Sequence, residues 1–171
     1  MSVLIMTANG FEDTELLCPL YRFQEEGLRV DVCAPTNGDL RGKHGYTVTA
    51  NLSLSEARSE DYQVLYIPGG KAPEELRRLP EALKLVRDFQ NSKKLIVAIC
   101  HGPLVLVSAG ILRGRRATGY LKIAEELKAA GVNYQDHEVV VDRNIITSRR
   151  PRDLPALMKT VIENLKAPDF P

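Results

Sequence analysis

A cysteine followed directly by a histidine, Cys100-His101, closes the apolar run Leu95-Ile96-Val97-Ala98-Ile99 and precedes Gly102-Pro103. A thiol beside an imidazole is the raw material of covalent catalysis, with sulfur as nucleophile and the ring as its base. The run reads as a fully buried parallel strand. Gly102 permits a tight turn, Pro103 suits the first position of a helix, and Gly102 to Ala109 is apolar almost throughout. The thiol is thus expected on a strand-to-helix turn, beside a helix N-terminus whose dipole favours the thiolate. That is a nucleophile elbow with cysteine in the place of serine. A free cysteine is ordinarily a small buried hydrophobe. Here the strand, the glycine and the adjacent histidine outweigh that reading.

Carboxylates stand where they could serve this thiol. Glu12 and Glu15 share one face at the start of a helix. Glutamates in a first turn commonly do no more than complement the helix dipole. The residues after Glu15 turn apolar at once, which places it where the loop enters the core. A carboxyl buried beside a thiol gains proton affinity and suits proton shuttling. Glu15 is therefore the first choice for general acid/base and Glu12 the reserve. Gly69-Gly70 also follows a strand, but the phosphate-loop pattern fails, since Leu65 holds the leading glycine position and Ala72 follows Lys71. Beyond a plain strand-ending turn, such a pair can aim a backbone N–H at an oxyanion, so Gly70 and the N–H of His101 are the candidate donors. The side chain next to a nucleophile on an elbow often points away from it. His101 would then need a carboxylate to orient it, and Glu74 is the candidate. His44, in a Gly42-Lys43-His44-Gly45 turn, reads as exposed, and His137 as structural.

The elements that must position these groups alternate along the chain. Strands are expected over Val3–Thr7, Arg29–Ala34, Val64–Ile67, Leu95–Ile99, Val139–Val141 and Ile145–Ser148. A helix from about Glu12 to Glu26 carries Leu16, Leu17, Leu20 and Phe23 on one face, with Gly27 as its C-terminal stop and a bend forced by Pro19. A second carries Ala82, Leu85, Val86 and Phe89, and a last one Leu154, Leu157, Met158, Val161, Ile162 and Leu165. Strands separated by helices imply a doubly wound α/β domain, a mostly parallel sheet covered on both faces in a flavodoxin-like sandwich. Val139–Ser148 reads as a hairpin, and Arg41 to Ala50 as a smaller one. Ligands of such sheets bind beyond the carboxyl ends of the strands. The loops carrying Glu12 and Glu15, Gly69-Gly70 and Glu74, and Cys100 all leave that edge.

Composition bounds the rest. The 171 residues, 44% of them hydrophobic, suffice for one core and favour a single domain over 1–171. A net charge of +1 gives no global field for nucleic acid. The basic clusters Arg113 to Arg116 and Arg149 to Arg152 lack interleaved aromatics and read as solvated loops or oligomer contacts. No stretch has membrane-spanning length and no leader pattern opens the chain. Cys18, Cys33 and Cys100 have no metal-like spacing and leave an odd thiol, which points to a reducing cytoplasmic setting.

Ala98-Ile99-Cys100-His101-Gly102-Pro103 resembles the signature of the PfpI family. That family lies within the class I glutamine amidotransferase-like group that also holds the Parkinson-associated deglycase and glyoxalase III enzymes. The likeness extends through Gly10–Glu15, Gly42–Gly45, Pro68–Glu74, Ser108–Gly114 and Val139–Asp142, and so covers essentially the whole chain. It is strongest toward the short archaeal and bacterial intracellular proteases. The resemblance implies that Cys100 is the nucleophile, His101 its neighbour, Glu15 the glutamate bonded to the cysteine, and Glu74 a glutamate supplied across a subunit interface. It implies dimers that assemble further into hexamers. It also implies cofactor-free conversion of methylglyoxal to lactate, repair of early glycation adducts on proteins and peptides, and a part in stress protection.

Three functions compete: an aldehyde-processing glyoxalase III or deglycase, which the residues favour; a cysteine peptidase with a Cys–His–Glu triad completed between subunits; and a non-enzymatic redox sensor or holdase in which Cys100 is oxidised. A glutamine amidotransferase fits less well, because no downstream His-x-Glu pair is present. The aldehyde chemistry requires neither a metal nor an organic cofactor.

Overall fold

The computed structural model describes residues 1–167. Its strands are β1 (Ser2–Met6), β2 (Arg29–Ala34), β3 (Gly38–Arg41), β4 (Thr47–Ala50), β5 (Leu52–Ser53), β6 (Val64–Ile67), β7 (Leu95–Ile99), β8 (Arg116–Ala117), β9 (Asn133–Tyr134), β10 (Val139–Asp142) and β11 (Ile145–Ser148). Its α-helices are α1 (Asp13–Glu25), α2 (Ala72–Leu76), α3 (Pro80–Asn91), α4 (Pro103–Ser108), α5 (Ala124–Ala129) and α6 (Leu154–Lys166). Seven strands form one sheet in the order β10-β11-β7-β6-β1-β2-β5, parallel throughout except for the β10–β11 hairpin. The side chains of β1, β6 and β7 are buried along their whole length, because helices cover both faces. α1 packs with α6, whereas α3 packs with α4. The expected doubly wound α/β sandwich is therefore present.

The strand order reverses between β1 and β6. From β1 the chain winds outward through β2 and β5, and from β6 the other way through β7 to β11. The loops after β1 and β6 part at that point and leave a crevice. These are the loops that carry Glu15 and Gly69-Gly70.

Local chemistry explains the boundaries. α1 ends where Gly27 takes φ +75°, with its N–H donating to the Gln24 carbonyl at 2.9 Å and the Leu28 N–H to that of Phe23 at 3.1 Å. This paired closure satisfies two end carbonyls. Thr7, expected inside the first strand, lies just past β1, although its N–H still bonds the Cys33 carbonyl at 3.0 Å. The hairpin expected over Arg41 to Ala50 forms as β3–β4 but begins earlier, at Gly38, so that Arg41 closes its first strand. β5, β8, β9, α2 and α5 were not expected. Strands of two residues and helices of five or six are too short to show a period. The basic clusters also have structural work: Arg115 reaches Asn144 Oδ1 at 3.1 Å, and Arg149 reaches Asp136 at 2.9 Å and Asp153 at 2.9 Å. No helix among the described residues is long and apolar enough to cross a membrane.

Candidate active site

Cys100 follows β7 with φ +63°, the left-handed region that costs a residue bearing a Cβ about 1–2 kcal/mol. Its surroundings hold it there. The Cys100 N–H donates to the Ser148 carbonyl at 3.0 Å, and the Cys100 carbonyl accepts the Tyr120 N–H at 2.9 Å. Gly102 was expected to supply the conformational freedom of this turn, yet its φ is an ordinary −53°. Glycine is needed there for space, since a Cβ would stand 2.7 Å from the Ile67 carbonyl oxygen and 2.9 Å from that of Ile99. The elbow is present, and its strain sits on the cysteine.

Glu15 lies in the first turn of α1 and is 0% exposed. Pro19 denies that turn one N–H, which orphans the Glu15 carbonyl. α1 nevertheless continues through Pro19, and the orphaned carbonyl accepts the buried Tyr66 hydroxyl at 2.8 Å. β6 thereby fixes the backbone of Glu15. Tyr66→Phe leaves that carbonyl buried without a donor and is expected to cost about 1–3 kcal/mol, measured by urea unfolding. An unchanged midpoint would show that the bond contributes nothing.

The side chain of Glu15 is held from the same strand end, with Oε2 accepting the Gly69 N–H at 2.7 Å. The carboxyl faces the Cys100 thiol. A Cβ on Gly69 would lie 2.5 Å from Glu15 Oε2, 2.6 Å from Cys100 Cβ and 3.1 Å from Sγ, so only glycine lets the three groups converge. At Gly70, φ is +79° and a Cβ would run into the backbone of Gly10 and Glu12. Both glycines of the pair are therefore fixed by close approach.

Burial pushes the Glu15 carboxyl up to about 7, and the Gly69 N–H partly opposes it. Burial pushes the Cys100 thiol up to about 12, with the Glu15 charge adding to the rise. The N–H groups of Gly70 and His101 act on the sulfur in the opposite sense. The helix dipole expected to favour the thiolate is thus outweighed by burial and by the carboxylate. Thiol and carboxyl face each other, so a negative charge on either raises the proton affinity of the other.

His101 turns toward the sulfur, with Nδ1 3.2 Å from Sγ, and its ring packs on Tyr120 at 5.1 Å between centroids. Burial, then Lys43 and Lys122, hold its pKa below the usual histidine value, so the ring is neutral and can accept a proton. Glu74 lies on α2 and is committed to Arg78 at 2.6 Å and Arg77 at 3.7 Å. Among the described residues it makes no bond to His101. Glu12 borders the site without bonding the sulfur, its Oε2 lying 3.3 Å from His44 Nε2 and 3.9 Å from Lys43 Nζ.

These groups surround a cavity of about 440 Å³ lined by Glu12, Glu15, Lys43, Gly70, Lys71, Cys100, His101, Tyr120, Lys122 and Pro151. A larger open hollow of about 740 Å³ near Met1, Asp31 and Tyr62 has its polar groups bonded to one another, as Tyr62 is to Asp31 at 2.8 Å and the Ser2 hydroxyl to the Asp61 carbonyl at 2.5 Å. Glu12, Asp13 and His44 bring potential metal-ligand atoms within 4.8 Å of one another. The Asp13 oxygens are already taken, by the N–H of His44 at 2.8 Å and that of Tyr46 at 2.9 Å.

Tyr66, Tyr120, Asp13 and the three lysines were not singled out from sequence. Tyr66 left a usable sign: a tyrosine within a buried strand needs a partner for its hydroxyl, and Pro19 provides an orphaned carbonyl.

The DJ-1/PfpI family profile matches residues 1–164. A protein named deglycase PfpI from Pyrococcus furiosus is 42% identical over 166 residues, covering 97% of this chain and 100% of its own. A deglycase of Pyrococcus horikoshii is 43% identical over the same length and coverage. Among solved structures, a two-domain Anabaena variabilis protein with DJ-1/ThiJ/PfpI-like and ferritin-like domains superposes with a TM-score of 0.95 at 35% identity, over 97% of this chain and 50% of that one. Schizosaccharomyces pombe DJ-1 shares the fold, with a TM-score of 0.88 at 22% identity over 96% of this chain and 92% of its own. A profile spanning nearly the whole chain, together with full-length relatives above 40% identity, leads to one assignment: this chain is a member of the DJ-1/PfpI family.

Proposed function

We propose that this protein is a cofactor-free cysteine enzyme that processes reactive aldehydes, converting methylglyoxal to lactate and reversing early glycation adducts. The observation that carries this reading is the convergence of Cys100, Glu15 and Gly69 at one point, with Glu15 poised near neutrality. The names of the archaeal relatives support the same class of activity. Sulfur adds to the aldehyde carbon while its proton passes to Glu15 or His101, and the aldehyde oxygen is protonated to give a thiohemiacetal. Glu15 carboxylate then removes the proton from the former aldehyde carbon and returns one to the neighbouring carbon, while the thiohemiacetal hydroxyl gives up its proton and the neighbouring oxygen gains one. The result is a lactoyl thioester on Cys100. Water hydrolyses it to lactate and restores the thiol. The N–H groups of Gly70 and His101 hold the oxyanion in the charged steps. The purified protein, given methylglyoxal without metal or added thiol, is expected to yield lactate in equal amount. Consumption without lactate would overturn the reading.

One observation favours peptidase chemistry as a second reading, namely the 3.2 Å Cys100–His101 approach beside an exposed Glu74. In that reading a second subunit supplies the glutamate that orients His101, within a dimer or hexamer. Glu74→Ala is then expected to depress peptide cleavage more than methylglyoxal turnover, with both followed against oligomer mass by light scattering. Equal loss of both would show a single interface-dependent site.

A further inference from the structure

The chemistry above uses Cys100, Glu15, His101 and two backbone N–H groups, and leaves three lysines of the same cavity without a task. Lys43, Lys71 and Lys122 all line it, and Glu12 is the sole carboxylate besides Glu15 that does so. Glu12 sits 3.9 Å from Lys43 Nζ, whereas Lys71 and Lys122 have no ion-pair partner among the described residues. Elsewhere Lys84, Lys128 and Lys166 each pair with a carboxylate within 2.9 Å, while Lys93, Lys94 and Lys159 make no such pair among the described residues. What sets the cavity lysines apart is that three of them line one hollow. At most two carboxylate charges, those of Glu12 and Glu15, therefore face three lysines in this cavity. A mouth of one sign on low-dielectric walls concentrates ions of the other.

We propose that the cavity selects aldehydes that carry a negative charge, 2-oxoaldehydes with a phosphate or carboxylate tail, and that Lys71 and Lys122 receive the anion. The substrate class rests on the aldehyde reading of Cys100 given above. With a phosphate tail the bonds change as they do for methylglyoxal. Sulfur adds to the aldehyde carbon, one proton moves to the adjacent carbon, and water releases a 2-hydroxy carboxylate and a proton, while the phosphate keeps all its bonds. The converse also follows: adducts on peptides rich in lysine and arginine meet like charge at the mouth and are disfavoured.

The test uses two alkylating probes that differ in charge, iodoacetate and iodoacetamide, on a Cys18→Ser background, because Cys18 is exposed and Cys33 is buried. The iodoacetate-to-iodoacetamide rate ratio at Cys100 is expected to exceed that of free cysteine by roughly three- to tenfold. It should fall toward that value at high salt and in Lys71→Gln/Lys122→Gln. A ratio at or below that of free cysteine, insensitive to salt, would overturn the proposal. A second arm compares kcat/KM for hydroxypyruvaldehyde phosphate with that for methylglyoxal. The double lysine variant should lower this selectivity by about tenfold, and an unchanged selectivity would overturn the anion role even while turnover continues. If neither aldehyde is processed but the alkylation preference and its loss are seen, the aldehyde reading fails and the anion-selecting cavity stands.

Discussion

Cys100→Ser is expected to abolish methylglyoxal turnover, by several orders of magnitude, while the fold survives. A serine hydroxyl is far less acidic than a thiol, and loss of a covalent nucleophile removes the pathway instead of slowing one step of it. The substitution is close to isosteric. It retains the left-handed turn and the backbone bonds to Ser148 and Tyr120, neither of which involves the side chain. Unfolding midpoints of variant and parent should therefore nearly coincide, so that lost activity reports chemistry. Lactate production by pure Cys100→Ser protein would eliminate the covalent route.

Glu15→Gln is expected to lower turnover by roughly 10²–10⁴-fold, the usual contribution of a general acid/base. The amide oxygen still accepts the Gly69 N–H, so the turn is kept and only the proton carrier is lost. A pH dependence accompanies this. Glu15 is raised to about 7 in the folded chain from an ordinary value near 4.5, so the native state binds its proton more tightly than the unfolded state does. Its contribution to stability is full below the unfolded pKa and is lost as pH rises through about 7. Wild-type stability should thus decline between pH 5 and pH 8, and Glu15→Gln should flatten that decline and be the more stable protein at pH 8. Activity should run the other way, rising as the carboxylate forms. Should Glu12→Gln prove the damaging change and Glu15→Gln the mild one, the two carboxylates have exchanged roles.

How far the sequence carried these conclusions depended on the length of each signal. β7 and the long stripe of α6 were legible because a buried run or a repeated apolar face leaves a pattern over several residues. Cys100, His101 and Glu15 were legible because each stands where a pattern breaks into chemistry. The turning of His101 toward sulfur was not, since one side-chain torsion decides it and the sequence does not encode that locally. Nor was the left-handed turn at Cys100 itself, which is held by backbone bonds to Ser148 and Tyr120, residues far away in sequence. The lysines were hidden for the same reason. Lys43, Lys71 and Lys122 come from three separate segments of the chain and line one cavity only once the chain is folded. Glu74 matched a sequence pattern, yet within one chain its charge is spent on Arg77 and Arg78.

Substrate becomes bonded to Cys100 and goes forward to lactate only when Glu15 moves a proton between its carbons. Native mass spectrometry of Glu15→Gln mixed with methylglyoxal tests this most directly, because the blocked proton step should let the thiohemiacetal accumulate. One added methylglyoxal per chain is expected in Glu15→Gln, and its loss in the Cys100→Ser/Glu15→Gln double variant. The same adduct load in both proteins, or full turnover by Glu15→Gln with no adduct at all, would contradict this route.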